Sequence, residues 1–297
     1  MKFSNRSLSI SLADKLVSSS FFTKKPFVIF YQENFVDSKI YDRFALDVDN
    51  FVKNNVLIKA NKNSKKKIKI ESLSSLSKYE ITKSSLINDF AKILYSKKFY
   101  NWFKETHLPF YGQGIFGSIL IKNKFQKFLF KAINFFGRKI FKKKFFSTHF
   151  LTIEFSDMEK GDYLTPHTDS FSKRMALVFY VPPPSVDIDI EKEKNWGTVF
   201  WGAKNINKVI SSWSTNHQTE DKINSFLETN KVAVKVPYKP NSVNGFIKND
   251  ISWHSVDKNT SSDPRRAIVI NIFEYNSAKD DIKVMNTLQE KVYKSLK

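Results

Sequence analysis

His167 and Asp169 stand two residues apart in GDYLTPHTD (Gly161–Asp169). In an extended segment, positions i and i+2 project to the same side, so an imidazole and a carboxylate are offered together to a borderline metal. His254, in SWHSV (Ser252–Val256), supplies a third ligand from a neighbouring strand in this reading. Two His and one carboxylate on one face of an octahedron leave three open positions, the arrangement suited to Fe(II) oxygen chemistry. Eleven positions after His254, Arg265 opens the strongly β-patterned segment RRAIVINIF (Arg265–Phe273). A guanidinium is a planar fork that matches a carboxylate bidentately. Ala267, on the same face, leaves room beside it for a bound acid. Arg266 adjoins Arg265, and a one-residue slip in strand register would exchange them.

These segments, with RMALVFYVP (Arg174–Pro182) between them, resemble the Fe(II)- and 2-oxoglutarate-dependent dioxygenases, especially the prolyl-4-hydroxylase-like branch. The likeness lies in a His-x-Asp, a distant His, and an Arg about ten residues later in an R-x-[Ser/Ala] strand start. It covers roughly 146–274, and its R-x-Ala pattern selects Arg265. The resemblance implies a double-stranded β-helix (jelly roll). It also implies His167, Asp169 and His254 as metal ligands and catalytic centre, and Arg265 on the distal carboxylate of 2-oxoglutarate. Tyr180 matches a tyrosine whose hydroxyl bonds that same carboxylate. The cofactors implied are Fe(II), 2-oxoglutarate as cosubstrate and O2, with succinate and CO2 released as a substrate C–H bond is hydroxylated. Family members that halogenate carry a small residue in place of the metal carboxylate, and Asp169 is a carboxylate. Where the family often has a Gly-Gly-x-Leu element, this chain has WGTVFWG (Trp196–Gly202), a departure in a region that faces substrate.

The elements that position these residues follow from periodicity. From Phe146 onward, THFLTIEF, RMALVFYV, KVAVKVPY, SVNGFI and RRAIVINIFEY read as strands. Five strands in a short span suggest a sandwich or barrel-like sheet pair rather than βαβ units. Upstream, Pro26–Phe35 reads as a strand and Asp37–Val52 as a helix with Asp37 or Ser38 as N-cap. Asn61–Lys78, rich in Lys and Ser, reads as an exposed loop or ribbon. Ser84–Thr106 has the spacing of one buried-face helix. In Lys122–Lys144, Phe125, Phe128, Leu129, Ala132, Ile133 and Phe136 share an apolar face opposite Lys124, Lys127, Lys131 and Arg138. The expected arrangement is a helix packed across a sheet with its Lys stems reaching water, and a membrane-surface helix is the alternative. Pro182–Asn195, with Asp187, Asp189, Glu191 and Glu193, reads as a mobile, solvated flap, and Asp280–Leu296 as a surface helix. The expected class is mainly β with flanking helices (α+β). One oxygenase domain spans 1–297, with a helical and strand support region at 1–145, a jelly-roll catalytic core at 146–276 and a C-terminal helix at 277–297.

Composition narrows the partners less than it first suggests. The chain has 297 residues and a net charge of +20, which invites nucleic acid or a membrane. Lys is spread along most of the chain, however, and Phe, at 29 residues, is abundant too, as compositional bias produces. Nucleic-acid-directed demethylases carry a second Arg six residues after the first, where this chain has Asn271 or Ile272. The absence of Cys excludes disulfides, thiolate zinc sites and a Cys nucleophile. With no long apolar run, the expectation is a cytoplasmic protein acting on a small-molecule or peptide substrate. A competing reading of another class is a non-catalytic jelly-roll binding protein, which loss of any of the four site residues would favour. All four are present. Of the other histidines, His149 is expected to be structural and His217 exposed, while His107 has no comparable context. Trp253 is expected to point away from His254, and Trp196, Trp201 and Trp213 either to line a substrate cleft or to fill the core.

Overall fold

Period-two alternation in the long strands sorts side chains onto two faces, and that sorting builds the architecture. The computed structural model describes residues 8, 10, 21–23, 27–55, 58–59, 66–79, 85–111, 114–170, 172–204 and 220–275. The larger sheet is formed by β1 (Phe21–Thr23), β2 (Ile29–Gln32), β3 (Ile58–Lys59), β4 (Lys66–Ile70), β5 (Ser118–Leu120) and β6 (Ser147–Met158) with β8 (Lys173–Tyr180), β11 (Ser242–Ile247) and β13 (Arg265–Glu274). Its order is β1-β2-β11-β8-β13-β6-β4-β3, antiparallel throughout, with β5 added parallel to β6. A smaller antiparallel sheet, ordered β10-β9-β12-β7, is made of β7 (Leu164–His167), β9 (Thr198–Ala203), β10 (Asn230–Lys235) and β12 (His254–Val256).

From β6 onward the chain winds between the sheets: large, small, large, then the β9–β10 pair in the small sheet, then large, small and large again. This is the winding of a double-stranded β-helix. Along β8, Ala176 and Tyr180 face the small sheet, where they pack with Phe200, Phe246 and Tyr238. Met175, Leu177 and Phe179 face the other way, onto α1 (Ser38–Asn54), α2 (Leu86–Leu94) and α3 (Lys97–Tyr111). Phe179 sits at 6.0 Å between ring centroids from both Phe44 of α1 and Phe90 of α2. The helices therefore buttress the larger sheet from outside and leave its inner face free for a site.

Three expectations need correction. The described part of Asn61–Lys78 is the ribbon of that expectation and not the loop, and it is not exposed throughout: β4 pairs with β3 and β6, and Ile68 and Ile70 alternate into the helix-side core. Ser84–Thr106 is two helices, because the chain turns at Tyr95–Ser96 and the Ser96 hydroxyl accepts from the Phe99 amide to start α3. The basic stretch does form a helix, α4 (Lys124–Phe141), but its apolar face does not pack on a sheet. Only Asn134 and Gly137 are fully buried in it. Asn134 bonds the Phe146 amide and carbonyl at 2.9 and 2.8 Å, and a Cβ at Gly137 would meet the Lys143 carbonyl at 2.9 Å. Polar bonding and close backbone approach choose the docking side, which leaves the aromatics outside.

The Pro182–Asn195 segment ends in α5 (Ile190–Asn195), capped by Asp189, whose side chain accepts from the Lys192 amide. A last helix, α6 (Glu220–Thr229), precedes β10. Among the described residues no helix is long and apolar enough to cross a membrane. Trp213, His217 and the expected helix at 277–297 lie outside the described residues, as does the side chain of His107.

Candidate metal centre

Two short strands of the smaller sheet build the centre. β7 and β12 pair antiparallel with His167 and His254 as register partners, and the two imidazoles lie 4.3 Å apart between centroids. Asp169 follows two residues after His167, just past the end of β7. The three side chains offer ligand atoms that all lie within 4.8 Å of one another. Among the described residues they are the only such group of three or more.

The chemistry of the donor set fits a divalent cation. His167 donates from Nδ1 to the Thr165 carbonyl at 2.8 Å, and His254 from Nδ1 to the Ser252 carbonyl at 3.0 Å. Each bond consumes the Nδ1 proton, so the Nε2 lone pairs are the ones presented to the centre. Burial pushes the His167 imidazole down to about 3, and His254 beside it acts in the same direction, so His167 is the neutral ligand form at ordinary pH. Burial opposes ionisation of Asp169, yet Lys173 and the two imidazoles outweigh it and hold the carboxyl well below the usual range. Lys173 Nζ lies 2.7 Å from Oδ1, whereas Oδ2 is buried with no hydrogen-bond partner, 3.7 Å from His254 Nε2. An orphaned carboxylate oxygen facing two imidazole lone pairs is a costly arrangement unless a cation completes it. The Phe246 ring at 4.5 Å from His254 keeps one side of the centre dry.

The centre opens into a cavity of about 250 Å3 between the sheets. Strand parity on β13 decides which arginine enters it. Arg265, Ala267, Val269, Asn271 and Phe273 line the cavity, whereas Arg266 points to the helix side. There Arg266 makes a bidentate pair with Asp157 at 2.7 and 2.8 Å and reaches Asp49 of α1 at 2.8 Å. Arg265 donates from Nε to the Trp196 carbonyl and from Nη1 to Met158 Sδ at 3.4 Å, and its buried Nη2 has no partner. Its guanidinium lies over the rings of Tyr180 and Tyr238, at 5.5 and 5.6 Å.

Tyr180 sits beneath Arg265 rather than on the cavity wall. Its hydroxyl accepts from the Thr198 amide at 2.8 Å and shares a hydrogen bond with the Thr198 hydroxyl at 2.9 Å. Thr198 itself lines the cavity. Sequence reading missed Thr198, Lys173, Asn271 as a wall residue, and the Lys67–Glu154 pair (3.5 Å). Asn271 was reachable by counting in twos from Arg265. The others come from strands or turns whose facing no local pattern fixes.

Trp253, Trp196, Trp201 and His149 have structural surroundings. Trp253 packs on Phe226 at 4.7 Å, away from the cavity. Trp196 is core between the sheets, and Trp201 donates to Ser255. His149 is fully buried on the larger sheet, 3.0 Å from the Tyr100 hydroxyl.

No protein-family model and no curated protein sequence matches this chain. Solved structures are similar to it in fold. One is a Pseudomonas putida prolyl-4-hydroxylase, at 8% identity and TM-score 0.45, covering 82% of this chain and 91% of that one. Another is the epimerase SnoN from nogalamycin biosynthesis, solved with Fe3+, alpha ketoglutarate and nogalamycin RO, at 10% identity and TM-score 0.42, covering 82% and 78%. A third is the non-heme alpha ketoglutarate dependent carbocyclase SnoK, at 8% identity and TM-score 0.44, covering 82% and 79%.

Proposed function

We propose that this chain is an Fe(II)- and 2-oxoglutarate-dependent oxygenase that hydroxylates a C–H bond of a small molecule or a peptide residue, releasing succinate and CO2. One observation carries the reading: His167, Asp169 and His254 bring ligand atoms within 4.8 Å of one another at the cavity that also receives the unpartnered Arg265 Nη2. In this reading His167 and His254 hold the iron through Nε2 and Asp169 holds it through its carboxylate. Arg265 binds the distal carboxylate of 2-oxoglutarate, and the bound iron and cosubstrate supply the oxidising chemistry, with O2 consumed.

Each side chain then has a physical task. The Thr165 and Ser252 carbonyls fix the imidazole tautomers and ring orientations. Lys173 keeps Asp169 ionised. The Trp196 carbonyl and the Tyr180 and Tyr238 rings aim the Arg265 fork, and the Thr198 hydroxyl offers a neutral hydrogen bond beside it. Leu164, Val178, Phe246 and Val256 exclude water from the same space. Asn271 and the Lys67–Glu154 pair give the cavity polar groups that favour a substrate with hydrogen-bonding atoms near the reacting carbon.

The test is anaerobic addition of Fe(II) and 2-oxoglutarate to the metal-free protein, followed in the visible range. The expected result is a weak metal-to-ligand charge-transfer band, lost in Asp169→Ala and weakened in Arg265→Ala. Succinate release in air then reads turnover against candidate substrates. A folded protein with iron available and no band would overturn the proposal in favour of a non-catalytic binding protein.

A further inference from the structure

α4 exposes what a helix ordinarily hides. Phe125 and Phe128 are 74% and 73% exposed, and Leu129, Phe135, Phe136 and Ile140 are exposed beside them. At about 100° per residue these side chains fan over an arc of roughly 140°. The opposite side, with Asn134 and Gly137, faces the protein. Phe116, itself exposed, packs against Phe145 and Phe146 and extends the apolar surface beyond the helix. Contiguous apolar surface of this kind marks an interaction site.

The charge around it says what kind. Residues 106–153 contain nine Lys and Arg and no Asp or Glu. Lys124, Lys127, Lys131 and Arg138 flank the aromatic arc on one side, and Lys139 rises within it beside Phe135. A second copy of this chain would bring these five cations against the same five, so self-association through this face is opposed. The face is also convex, with long side chains spread outward rather than lining a groove. A helix with Phe and Leu on one side and Lys on the other is built to lie in a lipid interface, rings among the acyl chains and ammonium groups at the headgroups.

We propose that α4 docks the protein on an anionic lipid bilayer, lying along the surface with Phe125, Phe128, Phe136 and Ile140 inserted. The inference stands apart from the oxygenase reading, because its readout is lipid binding and not turnover. The full chain is sedimented with phosphatidylcholine vesicles and with vesicles of phosphatidylcholine mixed with phosphatidylserine. Binding is expected to the mixed vesicles, falling steeply as salt is raised, and to be weak on the neutral ones. The double change Phe128→Ser and Phe136→Ser removes apolar area that would enter the bilayer, and is expected to weaken binding at least roughly tenfold. Lys124→Glu with Lys131→Glu is expected to do the same. These side chains are exposed, and far-UV circular dichroism checks that the fold persists. Hydrogen exchange of the wild type adds a readout without any variant: α4 amides should gain protection with mixed vesicles. Absence of binding to either vesicle would overturn the proposal. Binding that ignores the Phe changes would overturn it too, since charge alone would then account for the attraction. Equal binding to neutral vesicles would overturn the anionic assignment.

Discussion

Two buried clusters in this molecule have nearly the same ingredients and different completion. On the larger sheet, His149 and Glu274 are register partners, with Arg174, Lys144 and Tyr100 around them. Arg174 grips Glu274 through Nε at 2.7 Å and Nη2 at 2.6 Å, and Lys144 adds a second cation. On the smaller sheet, His167, Asp169 and His254 have one cation, Lys173, on a single carboxylate oxygen. The other oxygen is orphaned, and the Arg265 fork nearby is unfinished. In the first cluster both Glu274 oxygens are met by the protein's own cations, Lys144 on one and Arg174 on the other. The second converges on a cavity. Burial and a perturbed titration are common to both, so neither distinguishes a functional site from a structural one. Unsatisfied groups facing a shared void do.

That contrast can be broken most directly by neutralising one carboxylate in each cluster. Asp169→Ala is expected to abolish succinate release and lower Fe(II) affinity by at least ~100-fold, judged against the smaller losses that follow changes to groups behind the ligands, with a stability loss smaller than that of the Glu274 change, since Lys173 alone loses its partner. Glu274→Gln leaves two cations buried without their anion and should cost about 3–5 kcal/mol of stability, read by urea unfolding. A large stability loss in Asp169→Ala would erase the distinction.

Titration gives the next largest effect. Burial pushes the His149 imidazole down to about 4, against 6.5 for the free side chain. The unfolded chain therefore takes up this proton first, and stability is lost as the pH falls from about 6.5 toward 4. The shift corresponds to on the order of 3 kcal/mol. Burial would raise the Glu274 carboxyl, but Arg174 and Lys144 outweigh it and hold it at about 2, so its contribution is lost below about 4.5. His149→Gln should flatten the upper part of this profile, measured as unfolding midpoints across pH.

A smaller effect separates the two arginines. Arg265→Lys keeps the charge and loses the fork, and is expected to raise the KM for 2-oxoglutarate roughly 10–100-fold with the fold intact. Smallest is Thr198→Val, which removes one buried hydroxyl from Tyr180 and the cavity and is expected to cost about 1 kcal/mol of unfolding free energy, read by urea unfolding.

The residue types and their order were legible without coordinates. His-x-Asp, the later His and the Arg-opened strand mark the residues that the fold brings to one cavity, and the β texture after Phe146 announces two sheets, because period-two patterning is a local property of strands. The cap of α1 was legible to within one residue, as Asp37 or Ser38, because capping is also local, and the fold uses Asp37. Other features depend on partners far along the chain. The choice between Arg265 and Arg266 is settled only when β13 is locked between β6 and β8, with Asp157 and Asp49 waiting on the helix side. The short strands β7, β9 and β12 carry too few residues to show a period, yet their pairing sets His254 opposite His167. Thr198 joins the site through that pairing alone. The face of α4 shows the converse: its amphipathic pattern is plain in the residues, but a pattern states that one side is apolar and not where that side points. Docking through Asn134 and Gly137 turned it outward, since tertiary contacts choose among the faces that local sequence can only mark.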